Sequence, residues 1–261
     1  MEILKYLQRL YSSKQAIWNH ITLFSVIGIM VIMLNNVFAA WGNAVLISFF
    51  SVPPSTNLEL ALDCAFGLLI LLFLFAYEYK FINKIMNEDI VELPDLNIET
   101  FGIFFKILPL FIIWQIYFII IALCGTFICI KINNTSISYI FASIMLCITP
   151  FISMIFTEFS KDFKFKKEYF NPFYIFKFLD KTLSDVIILF LDLCIVMIIP
   201  ACIFYLIFDY AGSIKSETIK LGTYLGTTCL SVYTGFIMKY LYCAGIAHTV
   251  KTRFSEKKAI D

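Results

Sequence analysis

Six stretches of this chain, at 17–40, 60–82, 102–130, 137–157, 186–208 and 221–247, are each long and apolar enough to cross a bilayer. A spanning helix needs about 20 mainly apolar residues. Nothing else in the sequence constrains the fold so strongly, and the composition agrees with it. Of 261 residues, 61% are hydrophobic and 15% charged, whereas about a quarter of a soluble domain is charged. The expected fold is an all-α integral membrane protein, one six-span domain covering 1–261, with the connections at 41–59, 83–101, 131–136, 158–185 and 209–220.

Orientation follows from lysine and arginine, because cationic loops tend to stay cytoplasmic. Seventeen of the 20 Lys and Arg residues fall on one side: before the first span, around the second and fourth connections, and at the end of the last span with its tail. Lys131, Lys215 and Lys220 are left for the other. Both termini are therefore expected in the cytoplasm, with 248–261 as a cytoplasmic tail. Val37-Phe38-Ala39 could end a signal peptide, but such h-regions are about 7–15 residues long. The apolar run from Ile17 exceeds that, which favours a retained span.

Short outer connections pair the spans as three hairpins. Each is preceded by a cytoplasmic segment expected to lie at the membrane interface. In 1–15 the face Ile3, Leu4, Leu7, Leu10 and Tyr11 opposes Glu2, Lys5 and Arg9, a pattern suited to an interfacial helix. In 171–184, Phe173, Phe176, Leu179 and Leu183 oppose Lys177, Asp180 and Lys181. The middle segment is 93–105. Leu4-Lys5-Tyr6-Leu7, Phe105-Lys106-Ile107-Leu108 and Phe176-Lys177-Phe178-Leu179 echo one another. They could mark a threefold repeat or arise by chance in a chain so rich in Lys and Phe.

Between Phe156 and Phe178, phenylalanines alternate with lysines. Aromatic rings seat at headgroup level, and each lysine near anionic lipid gains about 1 kcal/mol. Lys161, Lys164, Lys166, Lys167, Phe170 and Lys177 are the expected contacts with anionic headgroups. The same surface could dock a cytoplasmic protein.

Ionisable groups inside a membrane are costly and are the default functional candidates. Asp192 and Lys239 lie at matching distances from the cytoplasmic ends of the last two spans. They are expected to pair between those helices, as structural glue, as a substrate or proton site, or with Lys239 snorkelling to the interface. In the last span, Gly222, Gly226, Thr227, Ser231 and Gly235 form a stripe of small residues expected to pack closely against a neighbour. Asp63 stands near the outer end of its span, and Asn19, His20 and Gln115 are weaker candidates. Pro150 and Pro200 interrupt helices and should kink them.

Several chemistries lack their signatures. There is no phosphate-binding G-x-x-x-x-G-K-[ST], no H-E-x-x-H and no G-x-S-x-G, so no enzyme, cofactor or metal is expected. The eight cysteines fall in apolar stretches without a C-x-x-C pair and read as small hydrophobes. A net charge of +1 lacks the basic excess of nucleic-acid binders.

The segment 67–96, with Tyr77, Tyr79, Ile85 and Glu92-Leu93-Pro94, resembles an uncharacterised prokaryotic family of multi-pass membrane proteins, domain of unknown function four-zero-one-three. In that family an aromatic cytoplasmic stretch ending a span is followed by a Leu-Pro step. Segments 170–179 and 240–250 are compatible with the pattern, and Asn87-Glu88-Asp89 stands where a glycine is expected. The resemblance implies a six-span protein of a prokaryotic inner membrane and carries no functional residues.

Two functions fit. One is a transport component, a permease-like bundle, in a narrower form the membrane subunit of an exporter driven by a separate ATPase. The other is a non-catalytic envelope protein that organises the membrane by binding lipid or a partner. Six spans and intramembrane charge favour the first, the Lys/Phe connection the second.

Overall fold

A computed structural model describes residues 2–40, 57–88, 90–132 and 136–255. Parts of three expected segments, 41–56 and 133–135 of the connections and 256–261 of the tail, lie outside them. Apart from short connections the described residues are helical, with no strand among them. Helix α1 is Glu2–Leu10, α2 Lys14–Ala40, α3 Asn57–Glu88, α4 Glu99–Ile132, α5 Ser136–Ser160, α6 Ile175–Ser213 and α7 Glu217–Ser255, with short 3-10 turns at Lys167–Phe170 and Pro172–Tyr174. Helices α2 to α7 are the six long and apolar enough to cross a membrane. Hydrocarbon offers the backbone no hydrogen-bond partner, so these apolar runs satisfy their own N–H and C=O groups as helix. Pro109, Pro150 and Pro200 are held inside α4, α5 and α6.

The arrangement is centred on α3 and α7. Helix α3 packs against α2, α4, α5 and α7, while α7 packs against α1, α2, α3, α5 and α6. Burial is concentrated toward one end of the bundle, the lysine-rich end. There Tyr77, Phe81, Phe159, Phe178, Tyr240 and Leu241 have no accessible surface. Farther along, side chains such as Leu123, Ile130, Leu146, Ile199 and Leu206 are exposed. An apolar surface is stable there because lipid tails are as apolar as leucine.

The three segments expected to precede hairpins are three different structures. Helix α1 turns Ile3, Tyr6 and Leu10 onto the protein and leaves Leu4 exposed. The apolar face is therefore divided, with Ile3, Tyr6 and Leu10 on the bundle and Leu4 and Tyr11 exposed. The middle segment is an irregular strap, 90–98, followed by the first turn of α4. It is sewn down by polar side chains: Asn19 Nδ2 donates to Leu93 O at 2.8 Å, Tyr77 Oη to Pro94 O at 2.6 Å and Lys80 Nζ to Asp95 O at 2.7 Å. Proline cannot continue a helix, and its neighbours prefer extended backbone, which explains why the Leu-Pro step becomes a strap. The third segment has no separate helix. From Ile175 it is the first part of α6, burying Phe178, Thr182, Val186 and Leu189 while Phe173, Phe176 and Leu183 face outward.

Among the described residues, the glycines of the expected small-residue seam on α7 make no close contact: a Cβ on Gly222, Gly226 or Gly235 would meet none of their atoms within 4 Å. Thr227 is buried and Ser231 half-buried, but their hydroxyls bond within α7. The glycine that does permit close approach is Gly245, where a Cβ would collide with the Leu189 side chain of α6. The reason is position along the helix, since α6 and α7 approach closely in the dense end, where Gly245 stands.

This contrast is testable. Gly245→Ala overpacks the α6–α7 contact and should lower stability by about 1–3 kcal/mol in denaturant unfolding of the detergent-solubilised protein, with Leu189→Ala relieving part of the loss. Gly226→Ala, which meets open space, should stay within about 1 kcal/mol and on the stabilising side, because alanine favours helix.

Candidate functional site

Lys239 does form an ion pair inside the bundle, but with Glu78 of α3 and not with Asp192. Helix geometry accounts for the correction. Gly245 faces Leu189 on α6, and at 100° per residue Lys239 lies about 120° around α7 from Gly245, away from α6. Cys243, one turn beyond Lys239 and on the same face, donates its Sγ–H to Glu78 Oε1 at 3.2 Å. One cysteine is therefore a polar partner as well as a small hydrophobe. The Glu78 side chain is 10% exposed and that of Lys239 48%, so the carboxylate is the enclosed member.

Residues 221–238 of α7 are free of charge and about 27 Å long at 1.5 Å per residue, close to the roughly 30 Å of a hydrocarbon core. Lys239 and Glu78 therefore meet at the lysine-rich edge of the apolar slab. Glu78 was legible as a carboxylate in an apolar stripe, since Leu74, Phe81 and Ile85 share its face at steps of three and four and are all buried. Its nearness to the end of the second apolar stretch disguised it as an ordinary interfacial charge.

Beside this pair runs a second polar chain. His20 Nδ1 and Tyr233 Oη are 2.7 Å apart, and His20 Nε2 lies 3.0 Å from Leu10 O. Tyr11 stacks on the His20 ring at 4.0 Å. His20 and Asn19 thus lock α1, α2, α7 and the strap together.

Asp192 lies elsewhere. It is half-buried and lines an open cavity of about 440 Å³ between α1, α6 and α7, with Asp185, His248, Thr249, Thr252 and Arg253, and with Ile3 and Tyr6 as the α1 wall. Asp185 is neutralised by a two-pronged contact from Arg253, Nε to Oδ2 at 2.9 Å and Nη2 to Oδ1 at 3.1 Å, the fork geometry that suits guanidinium and carboxylate. Asp192 has no ion pair or hydrogen bond among the described residues. Tyr6 and His248 also border a smaller cavity of about 210 Å³ with Lys5 and Arg9. Helix α1 thus stands between a space holding Asp192 and one lined by Lys5 and Arg9.

The expected lipid-contact residues divide. Lys166 and Lys177 each lie 3.8 Å from Glu158, and Lys177 also lies over the Tyr174 ring at 4.5 Å. Lys161, Lys164 and Lys167 are exposed, and their ammonium groups make no ion pair among the described residues. Phe170 is half-buried, and its carbonyl accepts from Tyr117 Oη at 2.8 Å. Much of the aromatic run packs on protein, as Phe156, Phe159, Tyr169 and Phe178 are all buried. Burial pushes the Tyr169 phenol up, as expected for a ring in the core.

Compared with models of protein families, with curated proteins and with solved structures, the chain matches none of them.

Removing one member of a buried pair strands the other charge, at a cost of about 3–5 kcal/mol. Because the Lys239 side chain is half exposed, Lys239→Met should lose about 3 kcal/mol, the low end of that range. The Glu78→Gln/Lys239→Met double variant should recover most of it. Asp192→Asn should change stability by no more than about 0.5 kcal/mol. Thermal unfolding of the four proteins in one detergent distinguishes this pairing from an Asp192–Lys239 contact, in which Asp192→Asn would be as harmful as Lys239→Met.

Proposed function

We propose that this chain is a non-enzymatic transport component of a prokaryotic cell membrane, with both termini in the cytoplasm and the Asp192 cavity as its cytoplasmic vestibule. The observation carrying this reading is Asp192 itself, a half-buried, unpaired carboxylate facing an open cavity of about 440 Å³ at the edge of a membrane-spanning bundle. An unpaired carboxylate facing such a cavity is available to a cation or proton, whereas a structural carboxylate is held by a partner. The Glu78–Lys239 pair supplies the rigid frame, and α1 closes one side of the vestibule. Membership of the uncharacterised family that 67–96 resembles belongs to the same proposal.

A second reading is a lipid- or partner-binding organiser of the membrane. The unpaired, exposed Lys161, Lys164 and Lys167 favour it. An associated ATPase would give the first reading its exporter-subunit form.

Full-length protein in pyranine-loaded proteoliposomes, challenged with a panel of amino acids, peptides, organic cations and sugars, is expected to give substrate-dependent proton or solute flux. Asp192→Asn should lower it at least tenfold without loss of fold. Absence of flux across the panel, with lipid or partner binding retained, would decide for the organiser. The orientation has its own check. An impermeant maleimide should label Lys215→Cys in intact cells and Lys164→Cys only after lysis, in a background without other cysteines.

A further inference from the structure

Two adjoining hollows occupy the face where α4, α5 and α6 meet. One, of about 210 Å³, lies between Trp114, Tyr117, Ile152 and Phe173. The other, of about 470 Å³, extends along α5 to Tyr139. Ile148 and Leu179 line both, so the hollows adjoin at these two side chains as one interrupted apolar groove. Its walls are apolar for a specific reason, because the polar atoms of the two amphipathic rings are turned away. Trp114 Nε1 donates to Tyr169 O at 3.0 Å and Tyr117 Oη to Phe170 O at 2.8 Å, leaving ring carbon toward the groove. The α5 residues that line the two hollows, Tyr139 to Ile152, span about 20 Å of helix axis, comparable with an extended chain in one leaflet of a core roughly 30 Å thick.

The same two hydrogen bonds tie the groove's mouth to the lysine loop. Tyr169 and Phe170 close the turn that Lys167 opens, and Pro172 and Phe173 then roof the groove. Lys167 opens this turn and Lys164 lies three residues before it, and both are exposed without an acidic partner among the described residues. We propose that this groove holds an acyl chain of an anionic glycerophospholipid, with its headgroup on those lysines. The groove needs apolar atoms to fill it, since an unfilled apolar hollow forfeits dispersion contacts, and the lysines select a negative headgroup over a zwitterionic one. A second copy seated on this face would bring two lysine loops together, which like-charge repulsion opposes. The site does not depend on whether the protein transports anything.

The test is native mass spectrometry of the full chain, released from mild detergent after incubation with equal amounts of dioleoyl phosphatidylglycerol and dioleoyl phosphatidylcholine. The expected result is a one-lipid adduct favouring phosphatidylglycerol at least fivefold. Lys164→Gln/Lys167→Gln should bring the two lipids near parity, and Ile148→Trp/Leu179→Trp, which fills the groove, should remove the adduct. Equal retention of both lipids by the unaltered chain, an adduct indifferent to groove filling, or a dimer that groove filling abolishes would each overturn the proposal. Should the filled variant not fold, Trp114 reports on the groove in a Trp18→Phe/Trp41→Phe chain. Its emission should be quenched by phosphatidylglycerol brominated on its acyl chains at mole fractions where the brominated phosphatidylcholine has little effect. Equal quenching by the two overturns the site.

Discussion

Glu78 and Lys239 neutralise each other at the crossing of α3 and α7, against one or both of which every other α-helix packs. An enclosed carboxylate is tolerated only with a cation and hydrogen-bond donors in place, and here Lys239 and Cys243 supply both from one face of α7. That requirement sets the rotation of α7 against α3. Once α7 is so rotated, Gly245 is presented to Leu189, His248 and Arg253 turn toward the Asp185–Asp192 side of α6, and Tyr233 reaches His20. The cavity holding Asp192 is thus a consequence of the charge pair that excludes Asp192.

The bundle is built unevenly because its two ends meet different solvents. At the lysine-rich end, water would surround the helices, so apolar side chains gain by burying one another. Strap, α1 and the aromatic loop all pack there. The α5 terminus is closed in the same region, with Asn83 Nδ2 donating to Ser160 O at 2.6 Å and Asn87 Nδ2 to Lys161 O at 2.9 Å. Farther into the apolar slab no such drive exists, since a leucine facing lipid is already in an apolar medium. Helices there can diverge and leave a groove such as the one beside Ile148 and Leu179.

The aromatic and lysine-rich loop shows how one composition serves two purposes. Phe159 and Tyr169 complete the protein core, while Phe173 and Phe176 stack on each other outside it at 6.3 Å. Identical residue types a few positions apart are divided by which way the chain turns after α5. That turn includes Phe163 in left-handed backbone at φ 52°, a conformation uncommon outside glycine.

The amino-acid sequence by itself determined the class of this protein, because run length and charge scarcity are properties of the chain that the bilayer reads directly: six apolar helices, with cations gathered at one end. His20 as a bonded rather than free histidine, and the irregular Leu93-Pro94 step, were within reach for the same local reasons. What only the tertiary structure decided were the partners. Lys239 chose Glu78 over Asp192, Gly245 rather than Gly222 or Gly226 became the close contact, and Ile3, Tyr6 and Leu10 of α1 turned onto the bundle. Each depends on the angular phase and tilt of one helix against another. A periodic pattern defines a face, but which neighbour meets that face is set by how all six helices pack at once.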